Sequence, residues 1–203
     1  MLRYYISAII ASAAVIFIAN ILLIPQASAL SVLLFLLLAI LEAFAVDAIV
    51  ALVIRYLVPE KHYDPISKRF KVQKFEKKLY SKLGIRKWKD KIPETGGMLV
   101  GFQKKKVLDL HDNKYLYKFM QETCYAEAMH EWSVPLGFVV VALCPSPLKV
   151  SVALPVALVN AVLQILPVAV QRFVRPQLLR VYNANNRKKE REGLFVLLFH
   201  APP

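Results

Sequence analysis

The longest apolar run of this 203-residue chain decides its fold; it is residues 27–54, which read ASALSVLLFLLLAILEAFAVDAIVALVI. A helix needs about 20 apolar residues to cross the ~30 Å hydrocarbon layer of a bilayer. Two other runs are long enough, and a fourth, Ser133–Cys144, becomes so if the residues before it continue the helix. The sequence therefore predicts one all-α integral membrane domain, residues 1–203, with four transmembrane helices at about 4–24, 27–54, 126–144 and 150–171.

The charge of the chain is concentrated outside these runs. Residues 55–118 contain 18 Lys or Arg against 7 Asp or Glu. Basic loops stay in the cytoplasm, so we expect segments 55–118 and 172–203 and both termini on the cytoplasmic side of the cell membrane. A net charge of +13 is also seen in nucleic-acid-binding proteins. Basic residues beside membrane spans more often contact anionic lipid, so membrane lipid is the predicted partner and nucleic acid is not.

A cytoplasmic amphipathic helix is predicted between the second and third spans. Val72, Phe75, Leu79 and Leu83 recur every three or four residues, and lysines fill most other directions. Such a helix, over Arg69–Lys82, would lie on an anionic leaflet. Gly84 is placed to end it.

The best candidates for catalytic residues lie in the segment 122–132, which reads ETCYAEAMHEW. A histidine beside a carboxylate can act as a general base near neutral pH, so His130 is the candidate base, with Glu127 or Glu122 as its partner. The same residues could instead form the solvated face of a helix that leaves the membrane. A Glu127-x-x-His130 pair is also half of a di-iron motif, but the sequence has no second copy, so no metal site is predicted.

Ionisable residues inside or next to the spans allow two interpretations each. Asp47 and Glu42 lie within the second span, where such groups indicate function by default, but Asp47 could simply pair with a polar residue such as Asn160. Arg172 and Arg175 follow the fourth span. They either extend towards lipid phosphates or bind a phosphate-bearing substrate.

Three segments together resemble a known family. They are Gly84…Trp88-Lys89-Asp90…Pro93, the 122–132 block, and Asn160…Pro167…Gln171-Arg172…Arg175-Pro176. In this order the chain resembles the glycosyl-4,4'-diaponeurosporenoate acyltransferases, small membrane proteins that add the final fatty acyl group in staphyloxanthin biosynthesis. The resemblance covers roughly Arg55–Tyr182. Phe173-Val174 stand where that family tends to have Tyr-Asn, which concerns substrate identity more than fold.

The resemblance implies a membrane acyltransferase that moves a fatty acyl group from an acyl thioester, such as acyl-CoA, to a hydroxyl of a membrane-embedded glycolipid or terpenoid glycoside. No cofactor besides that donor is implied. His130 would be the base, and Lys89, Arg172 and Arg175 would hold anionic groups or the developing oxyanion. The full set of implied substrate-binding residues is Trp88, Lys89, Asp90, Asn160, Gln171, Arg172 and Arg175.

Other functions remain open at this point. The chain could be a non-enzymatic membrane adaptor that binds anionic lipid or a partner enzyme, or a lipid-modifying enzyme of another reaction type. The donor chain length, the acceptor, and any assembly as a homo-oligomer or with other enzymes of a pathway are not specified by the sequence.

Overall fold

The computed structural model describes residues 2–24, 26–92, 109–144 and 148–199, and within these ranges the chain is helical without any strand. This confirms the all-α fold class. The seven α-helices named here are α1, Leu2–Leu23; α2, Ala29–Leu52; α3, Lys74–Lys82; α4, Ile85–Trp88; α5, Asn113–Leu136; α6, Val139–Leu143; and α7, Leu154–Phe199. Short π-helical turns at Val53–Leu57 and Lys149–Ala153 extend α2 and precede α7, and 3₁₀ turns cover Glu60–Tyr63, Lys68–Phe70 and Lys89–Lys91.

Within the described residues, three helices are long and apolar enough to cross a membrane: Arg3–Leu23, Ala29–Leu57 and Lys149–Glu192. The predicted third span, 126–144, differs from them. Its residues are divided between α5 and α6, with a turn at Gly137 and Phe138. Pro135 lies just before this turn and cannot donate a backbone hydrogen bond, which favours a break there. Crossing by this segment stays a prediction, as does the orientation of the termini.

The predicted amphipathic helix is shorter than expected, and the face that it buries against the protein is a different one. It begins at Lys74, because Gln73 is extended and its backbone N–H donates to Glu76 Oε1 at 3.0 Å. Gly84, in the left-handed conformation with φ 60°, follows its last turn as predicted. The helix buries Glu76 and Tyr80 against the protein, while Phe75, Leu79 and Leu83 are exposed. Contact of those three side chains with lipid stays a prediction.

Helices α5 and α7 form the centre of the fold, packed along each other and against α2. Residues 119–128 of α5 are buried around the whole helix. One reason is that the segment after α2 covers α5 from the side: the ring of Tyr63 stacks 4.0 Å from that of Tyr125. The interpretation of this part of α5 as a solvated face is therefore wrong.

Candidate active site

A cavity of about 460 Å³ lies between α1, α2, α5 and α7. This volume is within the range of about 300–1,000 Å³ that is typical of ligand pockets. Most of its wall is aliphatic, as the burial of a long hydrocarbon chain requires. Its polar lining residues are Tyr5, Ser12, Asp47, Lys89, His130, Ser133, Asn160, Gln164 and Gln171.

Three of these polar residues form a chain of hydrogen bonds across three helices. His130 Nδ1 on α5 lies 2.5 Å from Gln164 Oε1 on α7. The amide nitrogen of Gln164 in turn donates to Asp47 Oδ2 on α2, also at 2.5 Å. Asn160 Nδ2 donates to the other oxygen of Asp47 at 3.4 Å, and Ser133 also hydrogen-bonds this carboxylate. Asp47 is thus held by neutral donors at the edge of the cavity.

The direction of these bonds determines the tautomer of His130. The carboxylate of Asp47 accepts hydrogen bonds, so the nitrogen end of the Gln164 amide must face it. The carbonyl end then faces His130 and accepts the Nδ1 proton. In neutral His130 the lone pair therefore lies on Nε2. This is the state that a general base needs.

Gly137 allows the helices to approach each other closely beside this chain. A Cβ atom at residue 137 would lie 2.9 Å from Nδ2 of Asn160 and 2.9 Å from the backbone carbonyl oxygen of Ser133. A larger side chain at this position would therefore require Asn160 or the backbone to shift. The turn at Gly137 and Phe138 thus leaves room for the side chain of Asn160, which donates to Asp47.

A second polar cluster lies next to the cavity and is made of ion pairs. Glu127 is 1% exposed, and its two oxygens lie 2.5 Å from Arg172 Nη1 and 2.6 Å from Arg175 Nη2. The contact with Arg175 is a charge contact without the alignment of a hydrogen bond. Arg175, 2% exposed, also donates to Thr123 Oγ1 at 2.8 Å and lies 5.1 Å from the centre of the Phe70 ring. Arg175 is thereby buried with its counter-charge, and Arg172, which is partly exposed, completes the cluster.

Glu76 connects this cluster to helix α3. Its carboxylate accepts two hydrogen bonds from Arg172, at 2.6 and 2.9 Å, in the bidentate geometry that makes such pairs strong. The bonds from Arg172 lower the pKa of Glu76 to about 2. Tyr80 also donates to Glu76, and burial together with this bond raises the pKa of Tyr80 to about 12.

This arrangement revises the roles predicted for Glu122 and Glu127. Glu127 is occupied by Arg172 and Arg175, and Glu122, 2% exposed, accepts from Arg55 at 3.0 and 3.2 Å. The hydrogen bond described for His130 Nδ1 leads instead to Gln164 and through it to Asp47. Asp47 has the contact with Asn160 that the sequence suggested.

The predicted substrate-binding residues divide into two groups. Lys89, Asn160 and Gln171 line the cavity. Arg175 is buried in the ion cluster and does not, so direct binding of an anionic substrate by Arg175 has no support. Arg172 is paired with Glu76 and Glu127, and Asp90 is paired with Lys89 at 2.6 Å. Trp88 donates to the backbone of Leu83 at 3.0 Å, which fixes the segment that carries Lys89; Pro93 lies outside the described residues.

Gln164 and Ser133 were not identified as site residues from the sequence. A usable signal exists: Gln164 and Asn160 are four residues apart on one face of an apolar helix, where polar side chains need partners. Among the described residues, no group of three His, Cys, Asp or Glu side chains is placed to hold a metal ion.

The family model of the glycosyl-4,4'-diaponeurosporenoate acyltransferases matches residues 59–184. That range starts after α2 and includes α3, α4, α5 and the first part of α7. No curated protein and no solved structure matches the chain.

Proposed function

The chain belongs to the glycosyl-4,4'-diaponeurosporenoate acyltransferase family, and on this basis we propose that it transfers a fatty acyl group from an acyl thioester to a hydroxyl of a membrane-embedded glycolipid or terpenoid glycoside. The family name describes an acyltransferase. Donor, acceptor and the role of each residue are our proposal. As for staphyloxanthin-type products, the acceptor would be a sugar attached to a long apolar chain.

The observation that carries the proposal is the chain from Asp47 through Gln164 to His130 at the wall of a largely aliphatic cavity. A base whose tautomer is fixed by neighbouring groups is what deprotonation of a hydroxyl needs. The aliphatic wall suits the apolar part of the acceptor or the acyl chain.

The reaction proceeds in two steps. His130 Nε2 takes the proton of the acceptor hydroxyl as its oxygen attacks the thioester carbonyl and forms the new C–O bond. The tetrahedral intermediate then collapses, the C–S bond breaks, and the thiolate leaves and takes the proton from the imidazolium. Ester and free thiol are the products, and no redox change occurs.

In this proposal the ammonium of Lys89 stabilises the negative charge of the intermediate. Lys89 lines the cavity and pairs with the exposed Asp90 at 2.6 Å. Donors aimed at a developing oxyanion contribute strongly to such reactions. Asn160 and Gln171, which share the cavity wall, are placed to bind hydroxyls of the acceptor.

The test is acyl transfer by the purified full chain in lipid nanodiscs, with a radiolabelled acyl-CoA and a membrane glycolipid. His130→Ala should reduce turnover about 10²–10⁴-fold, the usual effect of losing a general base. His62→Ala is the matched control, because His62 is exposed, its Nδ1 lies 3.2 Å from the carbonyl oxygen of Pro59, and it does not line the cavity. Its turnover should equal that of the unaltered protein.

Equal turnover in the His130 and His62 variants would remove His130 from the mechanism. An absence of any transfer with a range of glycolipids and donors would favour the membrane adaptor instead. Phe75, Leu79 and Leu83, exposed among lysines, are the surface that an adaptor would use.

A further inference from the structure

A second concave surface lies between α3 and the charged half of α7, outside the cavity described above. It has a volume of about 540 Å³ and is lined by residues of both helices. Lys77 and Tyr80 come from α3, and Phe173, Pro176 and Arg180 are among those from α7. We call it the basic groove.

The charge of the basic groove is not balanced by its surroundings. Its three cationic lining residues are Lys77, Arg172 and Arg180, and no Asp or Glu lines it. Arg172 is neutralised by Glu76 and Glu127. Lys77 and Arg180 are exposed, and neither has an ion pair with any carboxylate of the described residues. Two unpaired cations therefore face one concave surface from opposite helices.

The basic groove also has apolar lining residues. They are Phe173, Pro176 and Val181. Guanidinium and ammonium groups together with an apolar lining match a ligand that has phosphates next to a less polar body. A simple anion would use the charges without the apolar lining.

The groove is related in position to the proposed base. Gln164, the partner of His130, and Pro176 are twelve residues apart on α7, or about 18 Å at 1.5 Å per residue. Gln171 lines the cavity and the next residue, Arg172, lines the groove. A ligand with a long flexible arm could thus hold its phosphates in the basic groove and its thioester in the cavity.

We propose that the basic groove binds the phosphates of the acyl donor's pantetheine-type carrier, with Lys77 and Arg180 as the phosphate-binding side chains. This rests on the proposed acyl transfer from a thioester. The same phosphate chemistry is present in coenzyme A and in the phosphopantetheine arm of a carrier protein. The assay therefore includes both.

The experiment measures equilibrium binding to the full chain in nanodiscs of zwitterionic phosphatidylcholine. The probes are coenzyme A and a phosphopantetheine-loaded carrier protein, and binding of short-chain phosphatidylglycerol is measured beside them as the lipid alternative. The variant is Lys77→Gln with Arg180→Gln. The matched control is Lys78→Gln with Arg187→Gln, which removes the same charges from exposed neighbouring positions that do not line the groove. Both changes are on the surface, and thermal unfolding verifies that each variant is folded.

The groove variant should bind at least one probe on the order of tenfold more weakly, because charged hydrogen bonds to phosphate are lost, while the control stays unchanged. The probe that is affected identifies the carrier. Equal weakening in variant and control, unchanged affinity for both probes, or no binding by the unaltered protein would each overturn the proposal. Loss of phosphatidylglycerol binding with unchanged affinity for both probes would assign the groove to a lipid headgroup and overturn it too.

The binding and turnover assays distinguish a wrong assignment of the groove from a wrong acyltransferase proposal. His130→Ala should reduce turnover about 10²–10⁴-fold without changing the affinity for coenzyme A. If acyl transfer is absent but coenzyme A binding depends on Lys77 and Arg180, the assignment of the groove stands and the proposed acyltransferase reaction is wrong. If transfer occurs and the KM for the donor is the same in the groove variant, only the groove assignment is wrong.

Discussion

Replacing Glu127 by Gln should destabilise the protein strongly, because this carboxylate neutralises a buried arginine. Arg172 keeps a partner in Glu76 when Glu127 is removed. Arg175, 2% exposed, keeps only neutral acceptors: Thr123 Oγ1 at 2.8 Å and the Phe70 carbonyl at 3.3 Å. Breaking one side of a buried ion pair typically costs about 3–5 kcal/mol.

For a chain of this size, such a loss corresponds to a fall in Tm of about 6–20 °C. Thermal unfolding in nanodiscs, followed by tryptophan fluorescence, measures it. Glu60→Gln is the matched control: Glu60 is exposed and pairs with Lys118 at 3.1 Å. A surface pair of this kind contributes about 0–1 kcal/mol.

A double variant makes the test more specific. Glu127→Leu with Arg175→Met removes both charges and keeps apolar volume, so it should be more stable than Glu127→Gln alone. An unchanged Tm in Glu127→Gln would refute the reasoning that Arg175 depends on this carboxylate. Loss of turnover with an unchanged Tm would restore Glu127 to the catalytic role that its position before His130 suggested.

Three other predictions follow from the remaining contacts. Asp47→Asn should lower turnover about tenfold or more and change the pH profile of kcat/KM, because the Gln164 amide can then reverse its orientation. This loss of turnover is smaller than the ~10⁴-fold loss that follows when the removed carboxylate contacts the catalytic histidine directly. Glu42→Gln, on the same helix but outside the cavity, is its control and should leave the profile unchanged. The pKa of Glu76 is about 2 in the folded protein, against an ordinary 4.5. The unfolded chain therefore binds more protons at low pH, and Tm should fall as the pH drops from about 5 to 2. A Glu76→Gln variant that shows the same fall in Tm would contradict the attribution of this fall to Glu76. A cysteine replacing Ser146 should be labelled from outside the cell and one replacing Lys105 should not, and the reverse result would invert the predicted topology.

The helical fold and the presence of helices that are long and apolar enough to cross a membrane were determined by local properties of the sequence. Length and apolar content of residues 27–54 suffice for a spanning helix, whatever it packs against. The end of α3 at Gly84 is equally local, because a left-handed residue follows the last turn. The resemblance to the family also depended on short motifs, and the matched range includes all of them.

The partners of each polar side chain were decided only by the tertiary structure. His130 and Glu127 are three residues apart on α5, and the sequence alone suggested that they act together. The rotation of α5 against α7 instead directs His130 to Gln164 and Glu127 to two arginines. Asp47 and Gln164 are 117 residues apart, as Glu76 and Arg172 are 96 apart. Helical periodicity states which residues share a face, but the neighbour that this face meets depends on how separate helices pack, and only the fold contains that information.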